Sequence, residues 1–133
     1  MATAPSTTAP KISRAGYAAF SKPVTVTKLV NDPSLYDGVA VNLSAEIVNF
    51  LQDDADQTTA MNVSDPDDPT SIMYIQLSGS ADVSKMNKTD LLTIWGKGAG
   101  SARGKNAFGA TINESVVNEA YLTDRTTGYQ DQG

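Results

Sequence analysis

Between positions 39 and 50 the chain alternates apolar and polar residues with a period of two. The apolar positions are Val39, Val41, Leu43, Ala45 and Ile47, and the polar residues between them are Asn42, Ser44 and Glu46. Successive side chains of a β-strand point to opposite faces, so this period predicts a long strand with one face buried and the other in water. The pattern favours a β fold, because four shorter segments of strand character follow it.

The four later segments are Thr58–Val63, Ile72–Leu77, Leu91–Lys97 and Val116–Leu122. Turn residues separate them, in acidic runs at 53–56 and 65–69 and in a glycine-rich stretch at 96–109. Helical periodicity is nearly absent. Five short strands with such turns predict a small all-β domain built as a closed or half-closed barrel.

The two ends of the chain differ in composition from its middle. Residues 1–15 are rich in Ala, Thr, Pro and Ser and predict a disordered arm, because they bury too little apolar surface to offset the entropy of ordering. Residues 126–133 are polar and aperiodic and predict a flexible tail. At 133 residues the chain has the length of one domain, which we place at 16–125.

A short helical piece is expected just before the long strand. Thr27 can cap a turn over 28–31, and Asp32-Pro33 can open a second turn that runs through Tyr36. Asp37-Gly38 then supplies the turn into the strand.

Three stretches carry a family pattern: TKLVNDPSLYDGV at 27–39, DLLTIWG at 90–96 and VNEAYL at 117–122. They resemble the bacterial OB-fold proteins of the tRNA-anticodon-domain-like type. The chain departs from that pattern with Asp32 between the family's Asn and Pro, and with Thr89 where Gly usually precedes the Asp. The resemblance implies a five-stranded OB-fold barrel with a short N-terminal helix over about residues 25–124, and it implies no catalytic residue.

Many proteins of that family are lipoproteins or secreted, which implies a place outside the cytoplasm. Residues 1–13 contain neither the basic nor the apolar segment of a signal peptide. We therefore expect an extracytoplasmic domain, secreted or lipid-anchored behind an upstream segment, with a cytoplasmic protein as the alternative.

The composition removes whole classes of chemistry. The chain has no Cys and no His, which excludes disulfides, thiol nucleophiles, Cys/His metal centres and imidazole bases. The only glutamates are Glu46, Glu114 and Glu119, and their spacing does not indicate a shared site. No apolar run approaches the ~18 residues of a membrane span. We therefore expect neither an enzyme nor a cofactor, and no transmembrane segment.

In an OB-fold, ligands usually meet the face of the second and third strands, beside the loops that join strands one to two and four to five. The candidate ligand-binding residues on that face, in the fourth strand and in the glycine-rich stretch are Asn62, Tyr74, Gln76, Trp95, Lys97, Arg103 and Lys105. For Trp95 a position in the core or at the end of the barrel is the alternative. These candidates predict a non-catalytic binding module whose ligand is a protein or a saccharide.

Charge is segregated along the chain. Between Lys28 and Lys85 there are ten acidic residues and no basic one, whereas positions 85–105 hold five basic residues and Asp90. The basic glycine-rich loop keeps single-stranded nucleic acid as the alternative ligand, because Lys and Arg neutralise phosphates. The acidic loop at 53–56 argues against nucleic acid, since negative charges within a Debye length of roughly 8 Å would repel a polyanion.

The glycine-rich stretch does not match a phosphate-binding loop. Ala99 lies where a Walker motif needs its first glycine, and Asn106 lies where that motif needs Ser or Thr. We expect a flexible hairpin loop instead.

Two acidic pairs have the spacing of Ca²⁺ ligands, Asp54 with Asp56 and Asp65 with Asp67. They lie at opposite ends of one predicted strand, which at about 3.3 Å per residue puts them roughly 20 Å apart. They cannot share one ion, so we expect polar turns there, with weak Ca²⁺ binding as the alternative.

Overall fold

The computed structural model describes residues 13–51, 56–105 and 111–131, without the side chains of 102–105 and 111–113. Its elements in chain order are α1 (Arg14–Phe20), β1 (Lys22–Pro23), α2 (Val26–Asn31), a 3₁₀ turn (Pro33–Tyr36), β2 (Ala40–Leu51), β3 (Gln57–Asp65), β4 (Asp68–Asp82), a second 3₁₀ turn (Val83–Lys85), β5 (Leu91–Lys105) and β6 (Thr111–Asp124). All five predicted strands are present as β2 to β6, and four of them are longer than predicted at one or both ends.

Strands β2 to β6 close into a five-stranded barrel. β2 pairs antiparallel with β3, and β3 pairs antiparallel with β4. β4 then pairs parallel with β6, which pairs antiparallel with β5. The barrel closes where β5 returns to the first half of β2, from Ala40↔Lys97 to Glu46↔Leu91. This strand order is that of an OB-fold, and it confirms the predicted all-β barrel.

The odd-numbered positions of β2 up to Ile47 point into the barrel, as the period of two predicts. Val41, Leu43, Ala45 and Ile47 are each at most 3% exposed. The inner residues of the other strands that form the core with them include Met61, Val63, Met73, Ile75, Leu92, Ile94, Val117 and Leu122. The helix α2 adds its buried Val26 and Leu29 to the same core.

The predicted short helix is α2, but Thr25 caps it, not Thr27. Thr25 Oγ1 accepts a hydrogen bond from the Lys28 N–H at 3.0 Å, as an N-cap hydroxyl does. Thr27 lies inside the helix, where its N–H and its hydroxyl both donate to Asp65 Oδ2, at 3.1 and 2.7 Å. Asp65 thus holds α2 against the turn between β3 and β4. Among the described residues no helix has the length and apolar character needed to cross a membrane.

The glycine-rich residues 96–105 form the second part of β5, where composition predicted a flexible hairpin loop. β5 pairs with β6 along this length, with register shifts. A Cβ atom at Gly96 would lie 2.5 Å from Val117 Cγ1, and one at Gly98 would overlap the carbonyl oxygen of Tyr36. Close packing of β5 against its neighbours therefore requires glycine at these two positions.

Both ends of the described chain pack on the barrel. α1 begins at Arg14, inside the stretch predicted as an arm, and residues 1–12 lie outside the described residues. Residues 126–131 were predicted to form a flexible tail, but they fold back. The Asp82 N–H donates to the Tyr129 hydroxyl at 2.8 Å, and Gln130 forms a β-bridge with Thr123. The reason is packing, because Tyr129 is partly buried against the core.

Candidate functional site

The structure brings three of the predicted site residues together on the outer surface of β3 and β4. Asn62 lies directly opposite Tyr74 in the ladder, and Gln76 lies two residues further along β4. The Tyr74 hydroxyl donates to Gln76 Oε1 at 2.8 Å, and Gln76 Nε2 donates to the Thr59 carbonyl at 3.1 Å. These bonds fix the phenol ring and the carboxamide. We call this surface the β3–β4 face.

Two residues that sequence reasoning did not assign to this site, Asn49 and Glu114, border the β3–β4 face. Asn49 of β2 lies opposite Asn62, and Glu114 of β6 lies two residues before Val116, the ladder partner of Tyr74. Among the described residues, Asn49 Oδ1, Asn62 Oδ1 and Glu114 Oε2 are buried and accept no hydrogen bond. A buried acceptor without a donor costs roughly 1–3 kcal/mol. Only the register between strands reveals this row of acceptors.

Partial burial shapes the electrostatics of the β3–β4 face. Burial raises the pKa of the Glu114 carboxyl above its usual range. Burial, and then the charge of Glu114, raises the pKa of the Tyr74 phenol. Tyr74 therefore stays a neutral hydrogen-bond donor over the physiological pH range. A donor or cation placed beside Glu114 would stabilise its ionised carboxylate.

Trp95 and Lys97, the other two predicted site residues whose side chains the structure describes, lie away from the β3–β4 face. Both are on β5, which β2 separates from β3 and β6 separates from β4. Lys97 Nζ is 3.9 Å from Glu119 Oε2, so its charge has a neighbour of opposite sign on the barrel wall. Arg103 and Lys105 also belong to β5, but their side chains lie outside the described residues.

Trp95 lies beneath α1. The Arg14 guanidinium is 5.9 Å from the centroid of the Trp95 ring and 5.4 Å from that of the Tyr121 ring. The wholly buried Tyr17 ring packs 6.0 Å from the Tyr121 ring. The aromatic residue that sequence analysis offered as a ligand contact is therefore part of the contact between α1 and the barrel.

The candidate Ca²⁺ ligands lie on separate turns. Asp54 is outside the described residues, and Asp56 is exposed in a left-handed turn with φ +66°. Asp65 already accepts hydrogen bonds from Thr27 and from the Asp67 N–H. Burial raises the pKa of Asp65, but these hydrogen bonds outweigh it and hold the pKa below its usual value. Within the described ranges no group of three or more acidic side chains could hold a metal ion.

Two carboxyl groups that sequence reasoning did not pair, Asp90 and Asp124, meet in the interior. Asp124 Oδ1 accepts from the N–H groups of Thr126 and Thr127, at 2.8 and 3.0 Å, and Asp90 Oδ2 accepts from the Asn87 N–H at 2.9 Å. Asp124 Oδ2 is buried and has no hydrogen-bond partner among the described residues. Burial first, and then the neighbouring Asp90 carboxyl, raises the pKa of Asp124.

We expect Asp124→Asn to stabilise the protein near neutral pH and to reduce the pH dependence of its stability. The asparagine amide carries no charge beside the Asp90 carboxyl at any pH, and it can still accept from Thr126 and Thr127. In the wild type the folded pKa of Asp124 exceeds its ordinary value of 3.8. The folded state then binds more protons between the two values, so the free energy of unfolding falls as pH rises through the folded pKa.

Urea unfolding between about pH 4 and pH 8 measures this effect. The variant should gain about 1 kcal/mol on the wild type as pH rises. Asp67→Asn, on an exposed turn, serves as the charge-matched control. A difference between Asp124→Asn and the wild type that does not change with pH would contradict the raised pKa of Asp124.

Comparison with protein-family models, with curated proteins and with solved structures finds no match. The likeness to the tRNA-anticodon-domain-like proteins therefore remains a prediction. The β3–β4 face combines a fixed tyrosine with a row of buried acceptors that have no donor among the described residues.

Proposed function

We propose that this protein is a non-catalytic binding module that takes a saccharide or a protein segment on the β3–β4 face. The row of buried acceptors on Asn49, Asn62 and Glu114 beside the fixed Tyr74 ring supports this proposal. A surface whose role is only solubility would leave its acceptors in water. These acceptors are closed off from water, and no donor of the described chain reaches them.

These atoms define what the ligand supplies, namely O–H or N–H donors. Rotation about the last side-chain torsion of Asn49 or Asn62 exchanges the positions of the amide oxygen and nitrogen, and this torsion is broad and roughly two-fold. The acceptors can therefore turn towards a ligand at small cost. Each acceptor that gains a donor recovers part of the roughly 1–3 kcal/mol lost by its burial.

A saccharide meets these requirements best, because its rim carries hydroxyl donors and its faces carry C–H groups that pack on an aromatic ring. Tyr74 offers such a ring, held by its bond to Gln76. A protein segment can meet the same acceptors with amide or cationic side chains. The exposed Val48 and Ile72, 37% and 40% accessible, would widen the contact for a partner of that kind.

A non-catalytic role fits the residues of the β3–β4 face. Glycoside hydrolysis uses a pair of carboxylates on either side of the scissile bond. Glu114 is the one carboxylate that the described structure places beside the acceptor row, and the chain has no His or Cys to serve as a base or a nucleophile.

Single-stranded nucleic acid is the alternative ligand, and the chemistry of the β3–β4 face argues against it. Phosphates need donors and positive charge, whereas this face presents acceptors and the Glu114 carboxyl. An anisotropy titration with labelled oligonucleotides separates the two functions. Tight binding at low salt that weakens as salt is added would favour nucleic acid and count against the proposal.

We expect the amide NMR signals of β3 and β4 to shift when chito-, cello- or malto-oligosaccharides are added. Tyr74→Ala should weaken the affinity at least about tenfold, because the stacking surface is lost. Tyr74→Phe keeps the ring and removes only the bond to Gln76, so its loss should be smaller.

Leu35→Ala is the control, since Leu35 is an exposed apolar residue, 63% accessible, on the 3₁₀ turn before β2. It should bind as the wild type does. If no saccharide binds, a pull-down in which a protein partner is retained by the wild type and lost by Tyr74→Ala would support the protein ligand. Ligand binding that is unchanged in Tyr74→Ala would overturn the assignment of the site.

A further inference from the structure

The four strands that form and border the β3–β4 face carry acidic residues and no basic ones. Residues 40–82, which include β2, β3 and β4, contain no Lys or Arg, and neither do residues 111–124 of β6. Lys97 belongs to β5 and lies beside Glu119, away from this face. The strands of the β3–β4 face therefore supply no cation to a carboxylate that lies there, and their own charges favour a cationic ligand.

Glu114 is the carboxylate that borders this face. Its Oε2 atom is buried and accepts no hydrogen bond among the described residues, and no described side chain forms an ion pair with it. The side chain is half-buried, so a ligand on the surface can reach the carboxyl group. A carboxylate that loses water without gaining a cation is costly to the fold. A cation that binds Glu114 recovers part of this cost.

The Tyr74 ring lies within reach of the same cation. Tyr74 is the ladder partner of Val116, and Glu114 lies two residues before Val116 on β6. One strand spacing and two residues along the strand put the Cα atoms of Tyr74 and Glu114 about 8 Å apart, which long and aromatic side chains can bridge. Burial, and then the charge of Glu114, raises the pKa of the Tyr74 phenol, and the second effect requires the two groups to lie close together. The face of an aromatic ring also attracts cations, so both groups favour the same ligand charge.

The acceptors on the other side of Tyr74 require uncharged donors. Asn62 lies one strand away from Tyr74, and Asn49 lies one strand further. Their amide oxygens are buried and accept nothing among the described residues. The row from Asn49 to Glu114 crosses three strand spacings and two residues along β6, about 16 Å in all. A ligand that meets the whole row needs a cation at one end and hydroxyl or amide donors along the rest.

We propose that the β3–β4 face binds an oligosaccharide of amino sugars with free amino groups, one of whose ammonium groups meets Glu114 beside the Tyr74 ring. Its hydroxyl groups donate to Asn62 and Asn49. This inference rests on the function proposed above and names the class of saccharide. An ammonium group has three donors and no acceptor, which fits a surface made of acceptors.

The spread of the acceptors favours an amino sugar over a lysine side chain. Every residue of an amino-sugar chain supplies both an ammonium group and hydroxyl donors. Three such residues, each about as long as one strand spacing, cover the distance from Asn49 to Glu114. A lysine side chain brings its donors to one point only, because its methylene groups donate nothing to the asparagines.

Comparison of the glucosamine trisaccharide with its N-acetylated form tests the proposal. The two have the same sugar chain, and acetylation removes the positive charges. At about pH 6, where amines are protonated, calorimetry should show the glucosamine trisaccharide binding at least about tenfold more tightly. Trilysine carries the same net charge without hydroxyl groups, and we expect it to bind at least about tenfold more weakly than the glucosamine trisaccharide.

Variants assign the cation to Glu114. Glu114→Gln removes the charge and keeps a carbonyl acceptor, so it should weaken binding of the glucosamine trisaccharide about tenfold and leave that of the N-acetylated form unchanged. Glu119→Gln is the matched control, because Glu119 lies on the same strand and has Lys97 as its neighbour at 3.9 Å. It changes the net charge by the same amount and should bind as the wild type does.

The outcomes separate this inference from the function on which it rests. If the N-acetylated trisaccharide binds at least as tightly as the charged one and loses affinity in Tyr74→Ala, the inference fails and the proposed function stands. Tighter binding of trilysine would overturn the inference in favour of a protein ligand. Equal affinities of Glu114→Gln and Glu119→Gln would overturn the assignment to Glu114. If no trisaccharide binds, the inference fails, and the pull-down described above decides the proposed function.

Discussion

Gly98→Ala is expected to destabilise the barrel by about 3 kcal/mol, which is a large part of the stability of a small domain. The added methyl group would overlap the carbonyl oxygen of Tyr36, and a main-chain atom cannot move aside as a flexible side chain can. Two main-chain hydrogen bonds also hold Gly98 in place. Its N–H donates to the Val39 carbonyl, and its carbonyl accepts from the Gly38 N–H. Either β5 or the turn before β2 must therefore shift.

Gly128→Ala is the control, because it measures the cost of backbone strain without a close contact. Gly128 has φ +84°, and a Cβ atom there would meet nothing within 4 Å. Its alanine variant should cost only the left-handed strain of roughly 1–2 kcal/mol. Denaturant unfolding of the two variants gives both free energies. A Gly98→Ala loss no greater than that of Gly128→Ala would contradict the role assigned to Gly98.

Arg14→Met is expected to lower the free energy of unfolding near neutral pH by about 3–5 kcal/mol, because it leaves a buried carboxylate without its cation. Arg14 Nη2 lies 2.5 Å from Asp131 Oδ1, and the Asp131 side chain is wholly buried. Arg14 also donates to the Leu122 carbonyl at 2.8 Å and to the Asp131 carbonyl at 2.9 Å. These bonds join α1 to β6 and to the C-terminal segment.

The loss in Arg14→Met should shrink in acid. Burial raises the pKa of Asp131, and the hydrogen bonds from Leu122 and Arg14 oppose that rise. Without Arg14 the folded pKa climbs further above the ordinary value of 3.8, so the folded variant takes up a proton that the unfolded chain releases. Its stability is then greatest at low pH and falls as pH rises through the folded pKa.

Arg14→Met/Asp131→Asn completes the test, since asparagine removes the charge and can still accept from the Leu122 N–H. The double variant should be more stable than Arg14→Met alone at pH 7. The fluorescence of Trp95, the only tryptophan, should report release of α1 in Arg14→Met. A pH-independent loss, or a double variant no more stable than the single one, would contradict the ion pair.

β2 and β5 show how far local pattern predicts this fold. The alternation in β2 correctly predicts which side chains face the core, because the two faces of a strand follow from neighbours in the sequence. The second half of β5 has no such pattern, since glycine carries no side chain to show a period. Only the packing of Gly96 and Gly98 against other strands and turns shows why these residues lie in the sheet.

The sequence likewise predicts only some of the residues of the β3–β4 face. Tyr74 and Gln76 could be assigned to one surface from sequence, because they alternate with the apolar residues of the same strand. Asn49 and Glu114 could not, since a register shift in β2 and a parallel pairing with β6 bring them there. The sequence does not indicate the helix α1, so only the structure shows that Arg14 lies against the Trp95 ring.

The sequence by itself determined the five strands of the barrel, the inward face of β2 and the absence of thiol and imidazole chemistry. It also determined that acidic and basic residues occupy different segments. Only the tertiary structure decided that Arg14 meets Asp131 across 117 positions and that three acceptors line up without donors among the described residues. Alternation depends on adjacent residues, whereas register and burial depend on contacts between residues that are far apart in the chain and are set only when the barrel closes.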